Sequence, residues 1–273
     1  MRRTTVRPLV AVLACSLLLV CASAADASVA SYYAAHVYTV SQNWAGHVVK
    51  APGGFGEVSA SWRVSSAKCT GPPTDSGTWI GLGGFGPADR LEQIGTDTSC
   101  TATTTQFGPG VAYSTAFSEI VPHPQQQPNH VVNPGDYVNA SVAVAGYEVT
   151  LTLRDVTRHW RYIRRAHARP LDVSTAEWVT EDPVGCFSAV VRIGCPTSPY
   201  ADFTPLTFTH ASARAASTGQ VGSISTRGWD DVRVACVQRG TLLAWPSLVS
   251  DGGSVFTVTR RDQPAPPEPP PPV

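Results

Sequence analysis

The chain has 273 residues, 42% of them hydrophobic and 15% charged, with twenty basic residues against twenty acidic ones. That size and composition fit one globular domain with tails, large enough to bury a real core and too short for a second full domain. The even charge balance, without a basic patch, argues against a nucleic-acid partner.

In chain order, residues 1–27 read as a signal peptide. Arg2, Arg3 and Arg7 give a basic start, residues 9–20 an apolar run, and Ala22-Ser23-Ala24 and Ala25-Asp26-Ala27 small residues suited to cleavage. The run is about a dozen residues long where a membrane span needs about 20, and no later stretch approaches that length. The expected mature protein is therefore secreted, with no membrane association. Residues 28–40 form a short N-terminal segment ahead of a domain over 41–261.

Beyond that segment, short alternating runs rich in Val, Thr, Trp and Tyr are separated by Gly, Pro, Asn and Asp clusters, and no amphipathic helix is apparent. The pattern predicts strands over 57–64, 78–82, 112–121, 137–144, 148–155, 176–181, 206–210, 232–238 and 254–260. In the fourth, Val138, Ala140, Val142 and Val144 share a face, Asn133-Pro134-Gly135-Asp136 turns into it, and Ala145-Gly146 turns out of it into a hairpin. Strands at that spacing predict an all-β, antiparallel β-sandwich. Residues 262–273, crowded with proline, are expected to be a disordered tail.

Without Cys15 and Cys21 of the leader, five cysteines remain. In an oxidising compartment they favour two disulfides and a leftover thiol. Spacing favours Cys69 with Cys100 and Cys186 with Cys195, leaving Cys236 odd, although other connectivities stay open. No paired C-x-x-C or H-E-x-x-H occurs, so neither a metal nor a cofactor is expected.

Most catalytic signatures are absent: there is no G-x-S-x-G elbow, P-loop or G-x-G-x-x-G. Asp75-Ser76-Gly77 has the look of an aspartic-protease triplet, but that chemistry needs two carboxylates and no second triplet occurs, so a polar turn before the strand at Thr78 is the simpler reading. What remains are polar groups inside apolar strands. In Leu91-Glu92-Gln93-Ile94-Gly95-Thr96-Asp97, Glu92 and Gln93 point to opposite faces. In Ala176-Glu177-Trp178-Val179-Thr180-Glu181, Glu177, Val179 and Glu181 share one. Periodicity alone allows both faces to be ordinary solvated surface.

Those residues belong to a series of ordered blocks that resembles one family. Ser41-Gln42-Asn43-Trp44-Ala45-Gly46, Val58-Ser59-Ala60-Ser61-Trp62-Arg63-Val64, Thr78-Trp79-Ile80-Gly81-Leu82-Gly83-Gly84 and the Leu91 to Asp97 stretch come first. Tyr113-Ser114-Thr115-Ala116-Phe117-Ser118-Glu119-Ile120-Val121-Pro122, Ala176 to Asp182, and Ala201-Asp202-Phe203 with Leu206-Thr207-Phe208-Thr209 follow. Together they resemble the eqolisins, or glutamic peptidases, from about residue 41 to 260. The resemblance implies a concanavalin-like sandwich of two packed sheets of about seven strands, polypeptide substrates and a monomer. It implies a catalytic pair at Gln93 and Glu181, with Glu181 activating water as general base and then protonating the leaving amine, and Gln93 stabilising the oxyanion. Trp44, Trp79, Glu119, Asp97 and Glu177 are then cleft positions, and activity is expected at acidic pH. Gly83, Thr115 and Phe117 depart from the fungal pattern and resemble the bacterial branch. The competing readings are a catalytically silent sandwich that binds carbohydrate or protein, and an aspartic-type hydrolase using Asp75.

Overall fold

The computed structural model describes residues 38–86, 90–103, 108–183 and 199–265. The expected leader, most of the segment over 28–40, Cys186, Cys195 and residues 266–273 lie outside them. The strands are β1 (Tyr38–Ser41), β2 (Trp44–Lys50), β3 (Phe55–Arg63), β4 (Ala67–Lys68), β5 (Thr74–Gly83), β6 (Leu91–Cys100), β7 (Ala112–Ile120), β8 (Tyr137–Ala145) and β9 (Glu148–Asp155). Then come β10 (Trp160–His167), β11 (Thr175–Glu181), β12 (Asp202–Phe203), β13 (Leu206–Ala215), β14 (Val221–Gly222), β15 (Asp230–Gln238), β16 (Thr241–Pro246) and β17 (Phe256–Pro264). The one helical turn among the described residues is Asp251–Gly253.

The all-β, antiparallel expectation holds, but two separate sheets do not. The strands form one ladder, β10-β9-β8-β3-β13-β17-β16-β15-β2-β11-β5-β6-β7, with β1 and β14 attached at its sides and β4 paired with β12 apart from it. The ladder is antiparallel throughout, β1 alone joining β15 in parallel. It folds over so that β3 and β8 face β5 and β6, giving two layers without a break in hydrogen bonding. Its end strands meet through side chains, where Tyr162 and Ser118 hydroxyls lie 3.2 Å apart and Arg164 donates to the Ser118 carbonyl at 3.2 Å. The sheet is thus nearly closed.

Between the layers lie Phe55, Trp62, Ile80, Leu82, Ile94, Leu151, Leu153, Trp178, Phe208 and Phe256, all essentially without exposed surface. Burying each such side chain stabilises the fold by roughly 2 kcal/mol. Two indoles also carry polar contacts across the layers, Trp62 Nε1 to Thr96 Oγ1 at 3.2 Å and Trp178 Nε1 to the Ser59 carbonyl at 2.9 Å. The β8–β9 hairpin follows its sequence pattern: Val138, Ala140 and Val142 enter the core, and Gly146 takes the left-handed corner at φ 64°.

Besides the short β1, β4, β12 and β14, the longer β2, β10 and β16 escaped the alternation pattern, for different reasons. β2 is central and buried from Ala45 to Val49, so both of its faces are apolar or packed. β10 is a terminal strand with Arg161, Arg164 and Arg165, and polar groups occupy both its faces. β16 is a short run, LLAW, with no polar residue to mark a period. Asp75-Ser76-Gly77, read as a turn, is instead the beginning of β5, paired with Ser99, Thr98 and Asp97. Gln263 and Pro264, assigned to the tail, pair with Leu242 and Thr241 as the end of β17. Cys69 and Cys100 form the expected disulfide, closing a sequence separation of 31, and Cys236 is free and buried.

Candidate active site

The outward face of β11, β5, β6 and β7 carries the predicted site residues in three cross-strand rows. The first is Glu177, Gly81, Gln93 and Glu119, the second Val179, Trp79, Gly95 and Phe117, and the third Glu181, Gly77, Asp97 and Thr115. All seven predicted catalytic and cleft residues therefore share one side of one layer, with Trp44 opposite Glu181 on β2. The face is not solvated surface. Trp79, Val179 and Glu177 are fully buried, and Leu91, Phe117, Trp44 and Val121 pack around Trp79 as a second apolar cluster.

Two glycines make room for Trp79. A Cβ at Gly95 would stand 2.7 Å from Trp79 Cβ, and one at Gly81 would stand 3.1 Å from Trp79 Cζ3. The indole can therefore lie along the sheet between the outer rows, edge-on to Trp44 at a centroid distance of 5.0 Å.

That position directs the indole N–H to Glu181. Trp79 Nε1 donates to Glu181 Oε2 at 2.9 Å, and Asn43 Nδ2 donates to Oε1 at 2.7 Å. Ser41 Oγ in turn donates to Asn43 Oδ1 at 3.2 Å, fixing which end of the Asn43 amide faces the carboxyl. Glu181 keeps part of its surface open, yet burial pushes its carboxyl up to about 7; the N–H donors pull it down and the Glu119 charge pushes it further up. Beside Asn43 a cavity of about 400 Å³ opens, lined also by Gln42, Asp182, Gln238 and Arg239.

Gln93 does not bond to Glu181. Its Nε2 donates to Glu119 Oε2 at 2.7 Å, while its Oε1 has no hydrogen-bond partner among the described residues. Burial raises Glu119 above the ordinary carboxyl range, opposed by that same bond. Asp97 accepts from Gln125 Nε2 at 2.9 Å, and burial pushes it up to about 7. Glu177 is raised well above the usual range by burial. The neighbouring Glu92 points the other way, into the layer interface beside Leu82 and Ile120, where burial and the Asp172 charge push it up to about 8.

Asn43 and Gln125 were not singled out by the sequence. Asn43 stands inside the Ser41 to Gly46 block, where its spacing to Trp44 was visible but its partner was 138 residues away. Gln125 lies in the loop after β7, and nothing local marks it. Among the described residues no group of His, Cys, Asp and Glu could hold a metal ion.

An amide and several buried carboxyls are set in apolar walls on one face of a two-layered β fold, and the family match makes this a glutamic-type peptidase. The chain belongs to the Peptidase A4 family, whose model matches residues 42–255. Solved structures share the fold at 22% identity. Two complexes of scytalido-glutamic peptidase with transition-state analogues give TM-scores of 0.66 and 0.67, covering 82% of this chain and 100% of theirs. Aspergilloglutamic peptidase from Aspergillus niger gives 0.54, covering 69% of this chain and 99% of its own. No curated protein sequence matches the chain.

Proposed function

We propose that this peptidase is a secreted acid endopeptidase in which Gln93 and Glu181 form the catalytic pair. One observation carries the reading. Of the acids on the face, Glu181 alone among the described residues has both carboxyl oxygens held by side-chain N–H donors, those of Asn43 and Trp79, while Gln93 is anchored through one end of its amide by Glu119. The second N–H of Gln93 remains for a substrate carbonyl. Two fixed donors hold the Glu181 carboxyl in one orientation, which is what a group that must exchange protons with bound substrate needs.

Because burial keeps Glu181 protonated up to about pH 7, the acid range finds it carrying a proton. A water oxygen attacks the scissile carbonyl carbon. One oxygen of Glu181 accepts the water's proton while the other delivers its own to the carbonyl oxygen, and Gln93 stabilises the charge that develops there. The C–N bond then breaks as Glu181 protonates the amine nitrogen and takes back a proton from a hydroxyl of the intermediate. Glu181 ends as it began. Trp44, Trp79, Leu91 and Phe117 supply apolar walls that keep bulk water from this exchange.

Secretion is supported by the Cys69–Cys100 disulfide, which persists in oxidising compartments. The test is digestion of casein at acid pH with pepstatin present. Gln93→Ala and Glu181→Gln should each lower kcat/KM by a factor on the order of 10² to 10³ with an unchanged melting temperature. Wild-type turnover by Glu181→Gln would remove Glu181 from the mechanism, and pepstatin-sensitive cleavage would shift attention to Asp75.

A further inference from the structure

The outward face of the other layer, on β8, β9 and β10, carries a feature that peptide hydrolysis does not use. Arg154 of β9 and Arg161 of β10 stand directly opposite one another across the ladder, and Asn139 of β8 continues the same row. The two arginines line a groove of about 550 Å³ whose remaining walls are Asn139, Ala140, Ser141 and Thr152. Both are exposed, and among the described residues neither guanidinium makes a hydrogen bond or an ion pair with another side chain.

Like charges directly opposite on neighbouring strands destabilise a sheet. Among the described residues no acid on this face relieves the pair. Glu57, two rows away, is held by Arg214 at 3.2 Å, and Glu148, three rows away, by His167 at 2.7 Å. Arg165, two rows along β10 on the same face, adds a further positive charge, and Arg63 lies over Tyr137 in the row on the other side.

We propose that this groove binds an acidic polysaccharide. An anionic group between Arg154 and Arg161 converts their repulsion into charge-assisted hydrogen bonds, and guanidinium forks suit planar carboxylates and sulfate esters alike. Arginine keeps its charge at every pH at which the peptidase works. The floor is made of hydroxyl and amide groups, with the Asn139 amide anchored on Ser61 Oγ at 2.5 Å. Such a floor matches the hydroxyls of a sugar chain. It lacks the buried aromatic or aliphatic anchor of a protein interface and the stacking aromatics of a single-stranded nucleic-acid groove. The site lies on the layer opposite the cleft, so binding leaves the catalytic face open and holds the peptidase on a glycan matrix while it cuts. The proposal is independent of the Gln93 and Glu181 assignment.

The test is affinity electrophoresis of the full chain against polygalacturonate, dextran sulfate, neutral dextran, poly-glutamate and single-stranded DNA. Retardation by polygalacturonate or dextran sulfate, weakening with added salt, and none by neutral dextran is the expected result, and the stronger of the two arms identifies carboxylate or sulfate as the group. Arg154→Gln combined with Arg161→Gln should weaken that binding about tenfold or more, since each lost charge-assisted contact is among the stronger polar ones. The same variant should leave casein cleavage unchanged and melt no lower than the native chain, because the cross-strand repulsion is gone. Arg154→Lys with Arg161→Lys, which keeps the charges without the forks, should bind at intermediate strength and guards against a folding defect. Failure of both acidic polymers to bind at low salt, undiminished binding by the double Gln variant, or tighter binding to poly-glutamate or DNA would each overturn the proposal.

Discussion

Glu177 and Glu181 illustrate how little a residue's type decides. Both lie on one face of β11, four positions apart, and the strand period treats them alike. Their surroundings do not. Glu181 holds two N–H donors and an opening, whereas Glu177 is sealed and raised well above the carboxyl range, chiefly by burial and further by the Asp172 and Glu92 charges. Glutamine has the shape of a protonated glutamate, so Glu177→Gln should keep kcat/KM within about threefold while Glu181→Gln lowers it by a factor on the order of 10² to 10³, in contrast to a catalytic role for both. The same reasoning fixes the pH profile. A mechanism that uses protonated Glu181 loses activity as pH rises through about 7, whereas a purely ionised base would gain it there. The profile of kcat/KM between pH 3 and 8 separates the two.

At the scale of the strand, β6 shows a sequence reading that was right in form and incomplete in content. The alternation put Glu92 and Gln93 on opposite faces, and so they are, but only the folded-over layer reveals that the Glu92 side is dry. Its carboxyl, pushed from 4.5 to about 8, prefers to stay protonated in the folded chain. A raised acid contributes its stability in full below its unfolded value and loses it as pH climbs through the folded one. The fold should therefore weaken between about pH 4.5 and 8, by at most about 5 kcal/mol from this group. Denaturant unfolding at pH 4 and pH 8 should show a loss to which the other raised acids, Asp97, Glu177 and Glu181, also contribute, and Glu92→Gln should make it smaller by the Glu92 share. The Cys69–Cys100 bridge pins the far end of the same strand. Replacing both cysteines with serine should cost about 3 kcal/mol in the same assay without altering the pH slope.

At the scale of the whole molecule, stability depends on the folding-over of one sheet rather than the docking of two. Trp178 stands at that contact, fully buried on the opposite side of β11 from the Glu177 and Glu181 face, with its N–H on the Ser59 carbonyl. Truncating it would open a cavity beneath β11 and remove that hydrogen bond. Trp178→Ala should cost about 3 to 5 kcal/mol by equilibrium unfolding and lower activity with it, whereas Trp178→Phe should recover much of the packing but not the hydrogen bond.

Local chemistry was enough to determine that this protein is built of antiparallel strands, because side-chain alternation and turn residues act over a few neighbours. The ordered blocks around Trp44, Trp79, Gln93, Glu119 and Glu181 were likewise legible along the chain. Only the tertiary structure decided that the layers belong to one continuous, nearly closed sheet, since the order of distant strands leaves no local trace. It alone brought Asn43 to Glu181 and Glu119 to Gln93, distinguished Glu181 from Glu177, and set Arg154 against Arg161. Each of those relations depends on cross-strand register and burial, which come into being when segments far apart in sequence meet.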